Sequence, residues 1–365
     1  MAFFTKYLRG LTTATVQLAI AFICTSQAFA VDQITVAVPN PPHISNAIFF
    51  LADELGFWRE EGLEVELLNV DSTGAMIPQI AAKRVTIGYP NPEILVLARQ
   101  PGKDNLPLRF FYNVVRSSIW EVTVLEDSPV HSLSDLKGGR LGVTSLGVGN
   151  IPLTKAMFND IGLSVGKDVD LIAVGISAIA KQALVTRQID ALNLFDMVNA
   201  QFMRSGVPLR QIPIADRYRH LFSNGFITHE DTIKTNAAML GRFGRAWSKA
   251  VVACDANTDA CVRAFWRGRP ALRPPKDREA VEIADNVAVL RTRLARMMVP
   301  EGMSWGAYDD ASWKSLVDLL YQQGQISTDQ ISTASLYSNE FVQDYNRFDR
   351  ASVIERAKAF QEDQR

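Results

Sequence analysis

GRLGVTSLGVGNIP, Gly139 to Pro152, runs as an apolar strand (Leu141 to Thr144), breaks at a Ser/Gly turn and re-enters as a helix-like run. A glycine-rich turn between strand and helix raises the question of a nucleotide loop. The pattern G-x-x-x-x-G-K-[ST] is absent, and the run Gly162 to Lys167 is one residue short of it and continues into Asp168. The turn is not G-x-G-x-x-G either, because Pro152 stands where the third glycine belongs. What remains is a strand that delivers backbone N–H groups to a helix start, with Pro152 in the first helical turn. Unpaired donors and the helix dipole draw polar or anionic oxygens to such a place. Ser145, Gly147, Gly149 and Asn150 are therefore candidate ligand contacts, with an ordinary strand-to-helix turn as the alternative.

Outward from this unit the same rhythm repeats. QITVAV (Gln33 to Val38) is a strand, and a helix follows that carries Ile44, Ile48, Leu51, Ala52 and Leu55 on one face and stops at Gly56. LEVELLNV, VTIGY and LRFFYNV (Leu108 to Val114) are strands separated by the helices AMIPQIAAKR and EILVLARQ. A second series, roughly 117 to 219, runs WEVTVLE, LSDLKGG, LGVTS, IPLTKAMFNDIG, VDLIAVG, ISAIAKQALVTRQ, IDALNLF, DMVNAQFMRSG and LRQIPI. In the helix of this series that begins at Ile151, Leu153, Met157 and Ile161 recur every four residues. Such alternation with short loops signals βαβ units and a parallel sheet in each series. From Asn236 onward the pattern is helical, and those helices are expected to pack on one of the two lobes. The expected fold is α/β: two Rossmann-like lobes, 31–116 plus 220–365 and 117–219, joined by a two-strand hinge, with a helical C-terminal extension. The crevice between such lobes is where a ligand sits.

The N-terminus carries Lys6 and Arg9, an apolar run and Ala28-Phe29-Ala30, which reads as a secretory signal (1–30) cleaved after Ala30, placing the mature chain in the periplasm. Removing it leaves 36 basic against 39 acidic residues, a net charge of −3, which gives no support for nucleic-acid binding. Cys24 departs with the leader. Cys254 and Cys261, in CDANTDAC, either close a disulfide in an oxidising compartment or remain free thiols. Four scattered histidines form no metal-ligand spacing, and no metal or cofactor is expected.

Several segments in order, FFLADELGFWREEGLEVELL, STGAMIPQIAAKRVTIGY, SLSDLKGGRLGV, ALVTRQIDAL and the tail SLYSNEFVQDYNRFD, resemble the periplasmic solute-binding proteins of the nitrate/sulfonate/taurine ABC importers. More narrowly they resemble the thiamine-pyrimidine-synthesis-like (NMT1-like) group. Gly56-Phe57-Trp58, Glu61-Gly62-Leu63, Asp135 to Val143 and Ile189-Asp190-Ala191 carry the match, and Thr86-Ile87-Gly88 departs slightly from it. The resemblance implies a bilobal, type II-like periplasmic-binding-protein fold. It also implies a monomer that captures a sulfonate, taurine, nitrate or thiamine-pyrimidine precursor and delivers it to an ABC permease with a separate ATPase. An enzyme of the thiamine-pyrimidine-synthase kind, which uses a cysteine-rich loop and a histidine, and a sensor feeding a membrane receptor are the alternatives.

Ligands in such folds lie at the strand ends. In the first lobe those ends are the loops holding His43 and Ser45, Ser72, Thr73 and Gly74, and Tyr89 and Asn91. Ser45, Ser72 and Thr73 can present hydroxyls there or simply cap helices, and His43 can bond a ligand or sit in an exposed loop. Tyr89, Tyr112, Trp120 and Phe195 together suggest stacking on a flat ligand, although core packing would explain any one of them. Arg116 is a potential anion partner or a solvated hinge arginine. Asp196 either accepts from a ligand amine or caps the helix that follows, and Asp190 is expected at a strand edge near the crevice.

Overall fold

The computed structural model describes residues 31–103 and 105–360. The expected leader, its cleavage after Ala30 and Cys24 lie outside the described residues. Strands β1 (Asp32–Val38), β2 (Leu63–Asn69), β3 (Ile87–Gly88) and β4 (Leu108–Asn113) come first. The chain then builds β5 (Trp120–Leu125), β6 (Arg140–Val143), β7 (Asp170–Ala173), β8 (Ala191–Phe195) and β9 (Leu209–Gln211), and returns through β10 (Gly225–His229). Two five-stranded sheets result, ordered β2-β1-β3-β10-β4 and β7-β6-β8-β5-β9.

Neither sheet is purely parallel, which corrects the expectation. β10 runs antiparallel to β3 and β4, and β5 runs antiparallel to β8 and β9. The reason is the crossing itself. A chain that leaves β4 at its carboxyl end enters the other sheet from the crevice side, so β5 must run away from the crevice while its neighbours run towards it. β10 repeats the move in the opposite direction. The two crossings are hydrogen-bonded to each other, Val115 N–H to Asn224 O at 3.0 Å and Ser223 N–H to Val115 O at 2.9 Å, and the second carries the short helix Asp216–Arg219.

Each sheet buries an apolar face under helices. Ile34, Val36 and Val38 alternate inward along β1, and the helix Ala47–Glu54 covers them. Phe226 in β10 lies 5.0 Å from both Phe243 and Trp247 of the long helix Ala237–Ala256, ring to ring. That helix supports the helices Ala47–Glu54 and Arg350–Ala359. It bends at Asn257, whose side-chain oxygen accepts from Ala260 N at 3.1 Å and so caps the next helix, Thr258–Gly268. Cys254 and Cys261, both fully buried, are disulfide-bonded across this corner with a Cα–Cα distance of 5.3 Å.

The late helices do not all pack on one lobe. The helix Glu279–Met297 packs on Thr258–Gly268 and equally on Asp196–Arg204 of the second sheet's layer, with Arg204 Nε on Asp285 Oδ1 at 2.7 Å. Two further details differ from the sequence reading. The helix starting at Ile151 ends at Asn159, so Ile161 falls past its end and is 39% exposed. Asp190 sits at the start of β8, where its carboxylate accepts from Arg140 N at 2.7 Å, at the end of the sheet away from the crevice.

Candidate functional site

Because the parallel strands of both sheets point their carboxyl ends at each other, the loops that follow them meet. They enclose a crevice with a free volume of about 160 Å³. Asn40 and Pro41 follow β1, Asp71 follows β2, and Tyr89 and Asn91 follow β3. From the other side come Thr144 and Val148 after β6, Gly175 and Ile176 after β7, and Phe195 at the end of β8. The two reversed strands contribute their amino ends instead, Trp120 from β5 and Asn224 ahead of β10. Pro39, Ser45, Ile119 and Arg293 complete the wall.

Five of the residues singled out in the sequence therefore line the crevice: Ser45, Tyr89, Asn91, Trp120 and Phe195. The others stand elsewhere. His43 lies behind Phe195, ring to ring at 5.4 Å, with Nε2 at 2.8 Å from Gln201 Oε1 and Nδ1 accepting from Ser45 N. Ser72 caps the helix Thr73–Ala81 by accepting from Ala75 N at 3.2 Å. Thr73 is fully buried, and Gly74 donates its N–H to Gly147 O at 3.3 Å. Ser145 accepts from Val148 N in the turn, while Gly147 and Gly149 press on the first lobe rather than on the cavity. Asn150 turns inward, its Nδ2 on Asn193 Oδ1 at 3.0 Å. Tyr112 belongs to the core of the first lobe, its hydroxyl 2.7 Å from Ser248 Oγ and its ring 4.8 Å from Tyr345. Arg116 packs on Met303 beside the crossing and lies outside the crevice.

Asp196 is not among the lining residues; its Oδ1 accepts from Met197 N at 2.8 Å in the first turn of the helix Asp196–Arg204, and its carboxylate does more than cap. It is 3% exposed and accepts from Arg293 Nη2 at 2.6 Å and from Arg296 Nε at 3.2 Å, while Arg296 also reaches Glu121 at 3.0 Å. Arg293 is the single lysine or arginine among the lining residues, and its charge is matched by a buried carboxylate. The sequence reading passed over it, yet a signal was present. Leu290, Arg293, Leu294 and Met297 share one buried stripe of their helix, and a charge on an apolar stripe needs a partner inside. Thr144, Asn224 and Asp71 were missed because position alone, at the mouth of a strand, distinguishes them.

The crevice is mostly neutral and carries unused donors. Burial pushes the Tyr89 hydroxyl up to about 12 and lowers His43 to about 4, so both are uncharged at neutral pH. Trp120 Nε1 and Thr144 Oγ1 are buried without a hydrogen-bond partner. An indole nitrogen can only donate, and buried donors are ordinarily satisfied, which sets Trp120 Nε1 apart from the other polar atoms of the wall. Phe195 meets the Trp120 ring edge to face at 6.1 Å and 88°, which leaves aromatic surface on the cavity wall.

A model of the family described as NMT1/THI5 like matches residues 43–260. The chain belongs to the NMT1/THI5-like family. It is 31% identical over 174 residues to a putative thiamine biosynthesis protein of Haemophilus influenzae, a match covering 46% of this chain and 51% of that protein, so it spans about half the length of this relative. It is 24% identical over 298 residues to the formylaminopyrimidine-binding protein of Halalkalibacterium halodurans, covering 80% of this chain and 85% of that one. The alkanesulfonate-binding protein of Xanthomonas axonopodis pv. citri superposes with a TM-score of 0.62 at 14% identity, over 84% of this chain and 98% of its own. The fold is thus the periplasmic binding protein fold. In this NMT1/THI5-like chain Arg293 lies beyond the matched segment, on a helix that reaches the crevice only through tertiary packing.

Proposed function

We infer that the chain is the solute-binding component of an ABC import system, working in the periplasm as a monomer and handing its guest to a permease served by a separate ATPase. The observation that carries this reading is the cavity of about 160 Å³ walled by strand ends of both sheets. A guest there touches both lobes at once and so draws them towards the closed state. The volume lies well below the 300–1,000 Å³ usual for drug-sized ligands, which suits a single small ring. No bond is made or broken. His43, which packs on the crevice residue Phe195, is tied to Gln201 and to Ser45 N, and the two cysteines are bonded to each other in another part of the lobe.

Among the sulfonate, taurine, nitrate and pyrimidine-precursor classes, the electrostatics favour a neutral heteroaromatic guest. Arg293 already faces Asp196, and Asp71 adds a further carboxylate to the wall. A sulfonate would surrender its hydration without meeting net positive charge, and an unpaired buried ion is costly. A pyrimidine ring offers nitrogen acceptors to Trp120 Nε1 and Thr144 Oγ1 and a flat face to the aromatic wall. The formylaminopyrimidine-binding relative lends support to that class.

A thermal-shift titration of the purified mature chain tests the reading. Formylaminopyrimidine is expected to raise the melting temperature with concentration, since binding to the folded state alone stabilises by about 2.7 kcal/mol at a hundredfold excess over Kd. Taurine and a short alkanesulfonate are expected to leave it unchanged. A shift with the sulfonate alone would reverse the substrate class, and turnover of the pyrimidine by the isolated chain would replace binding with catalysis.

A further inference from the structure

We propose that a seam of glycines, Gly147 and Gly149 of the second lobe against Ser72, Thr73, Gly74 and Asn91 of the first, sets how tightly the crevice closes and so the width of the cavity. The proposal rests on the solute-binding reading above, and its test separates the two.

The seam is built without side chains on one side. Gly74 is the second residue of the helix Thr73–Ala81, where an amide has no partner within the helix, and its N–H is satisfied across the lobes by Gly147 O at 3.3 Å. A Cβ added to Gly147 would stand 3.1 Å from Ser72 Oγ and 3.4 Å from Ser72 Cβ. One added to Gly149 would stand 2.9 Å from Asn91 Cβ and 3.0 Å from Thr73 Oγ1. Neither glycine has a positive φ, so the local backbone tolerates any residue at both positions. The demand for glycine comes from the opposite lobe.

The geometry also links the seam to the cavity. Carbon atoms pack at about 3.5–4.0 Å, so a methyl on Gly149 must push the lobes apart by roughly 0.6–1.1 Å at Asn91. No rotamer relieves this contact, because both Cβ atoms are fixed to backbone. Val148, between the two glycines, and Asn91, against which Gly149 rests, both line the cavity. Any separation at the seam therefore moves two facing cavity walls apart, although neither glycine touches the guest.

The test compares the parent chain with Gly149→Ala, Gly147→Ala and the pair Gly147→Ala with Ser72→Gly, using formylaminopyrimidine as probe and amide hydrogen exchange at Gly74 as a ligand-independent readout. Gly149→Ala is expected to weaken the probe at least about tenfold and to speed Gly74 exchange by a similar factor. Gly147→Ala is expected to do the same to a smaller degree. Adding Ser72→Gly removes both atoms that the new methyl would meet, at a capping cost of only a few tenths of a kcal/mol, and is expected to restore both readouts. Parent-like affinity and exchange in Gly149→Ala would overturn the seam, as would failure of Ser72→Gly to rescue or a parent whose Gly74 amide is unprotected with and without probe. If the probe does not bind the parent at all, the pyrimidine reading fails while Gly74 exchange still decides the seam. Far-UV circular dichroism identifies a variant that does not fold, in which case the Gly147 and Ser72 pair carries the test.

Discussion

At the scale of single residues, the crevice separates groups that wait for a partner from groups that already have one. Trp120 lines the cavity, and its Nε1 is buried and unpartnered. Trp120→Phe is expected to weaken formylaminopyrimidine by about 1–3 kcal/mol while leaving the melting temperature of the free chain unchanged or higher, since an unsatisfied donor is removed. Calorimetric titration with unchanged affinity would return the indole to a packing role. Tyr112 behaves in the opposite way, being 1% exposed with its hydroxyl bonded to Ser248. Tyr112→Ala is expected to cost about 3–5 kcal/mol in urea unfolding, whatever ligand is added. Glu93, at the start of the helix Glu93–Ala98, is buried with Oε2 unpartnered, and that burial pushes its carboxyl up to about 8. Between the ordinary value of 4.5 and about 8 the unfolded chain has lost this proton and the folded chain retains it. This contribution to stability is therefore complete at low pH and falls as pH rises through that window, by up to about 1.4 kcal/mol per unit. Glu93→Gln is expected to flatten the slope and to raise the urea midpoint at pH 8 relative to the parent. Identical slopes in the two chains would show that the carboxyl ionises freely.

At the scale of elements, the corner between the helices Ala237–Ala256 and Thr258–Gly268 is held by a disulfide and by the Asn257 cap. The disulfide there spans seven positions, and closing so short a loop stabilises by about 2–3 kcal/mol through the unfolded state. Replacing Cys254 and Cys261 together by Ala is expected to lower the unfolding free energy by about that amount, read from urea curves without reductant. Reductant is expected to bring the parent to the same midpoint. The reversed strands are the other informative elements. β5 and β10 look like their neighbours in sequence, strands of six and five residues, yet each runs against its sheet because the chain enters from the crevice side. Periodicity identifies a strand but carries no information on its direction.

At the scale of the whole molecule, the lobes are joined by more than the two crossings. The helix Glu279–Met297 lies on both, and Arg293 on Asp196 is a buried ion pair between that helix and the end of β8. Asp196→Ala leaves a buried guanidinium without its closest counter-ion, a change expected to cost about 3–5 kcal/mol in urea unfolding. A loss below about 1 kcal/mol would mean that Arg293 finds Glu121 or solvent instead. The two lobes also meet through His43 with Gln201 and through the glycine seam, so the crevice is bounded on several sides by contacts between lobes.

The sequence by itself determined the elements and the family. Alternating apolar strands and amphipathic helices, broken at Gly56 and Gly138 where φ is positive, follow from local sterics and burial, which act over a few residues. It also placed Ser45, Tyr89, Asn91 and Phe195 beyond or at the mouths of parallel strands, a position that chain order reveals, and Trp120 beside the crossing. Only the tertiary structure decided that Tyr112 faces the core, that Gly147 and Gly149 meet the other lobe, and that Arg293, some hundred positions beyond Asp196, enters the site. Those outcomes depend on which surfaces meet after the chain has crossed twice between sheets, and contact between residues distant in the chain leaves no periodic trace at either of them.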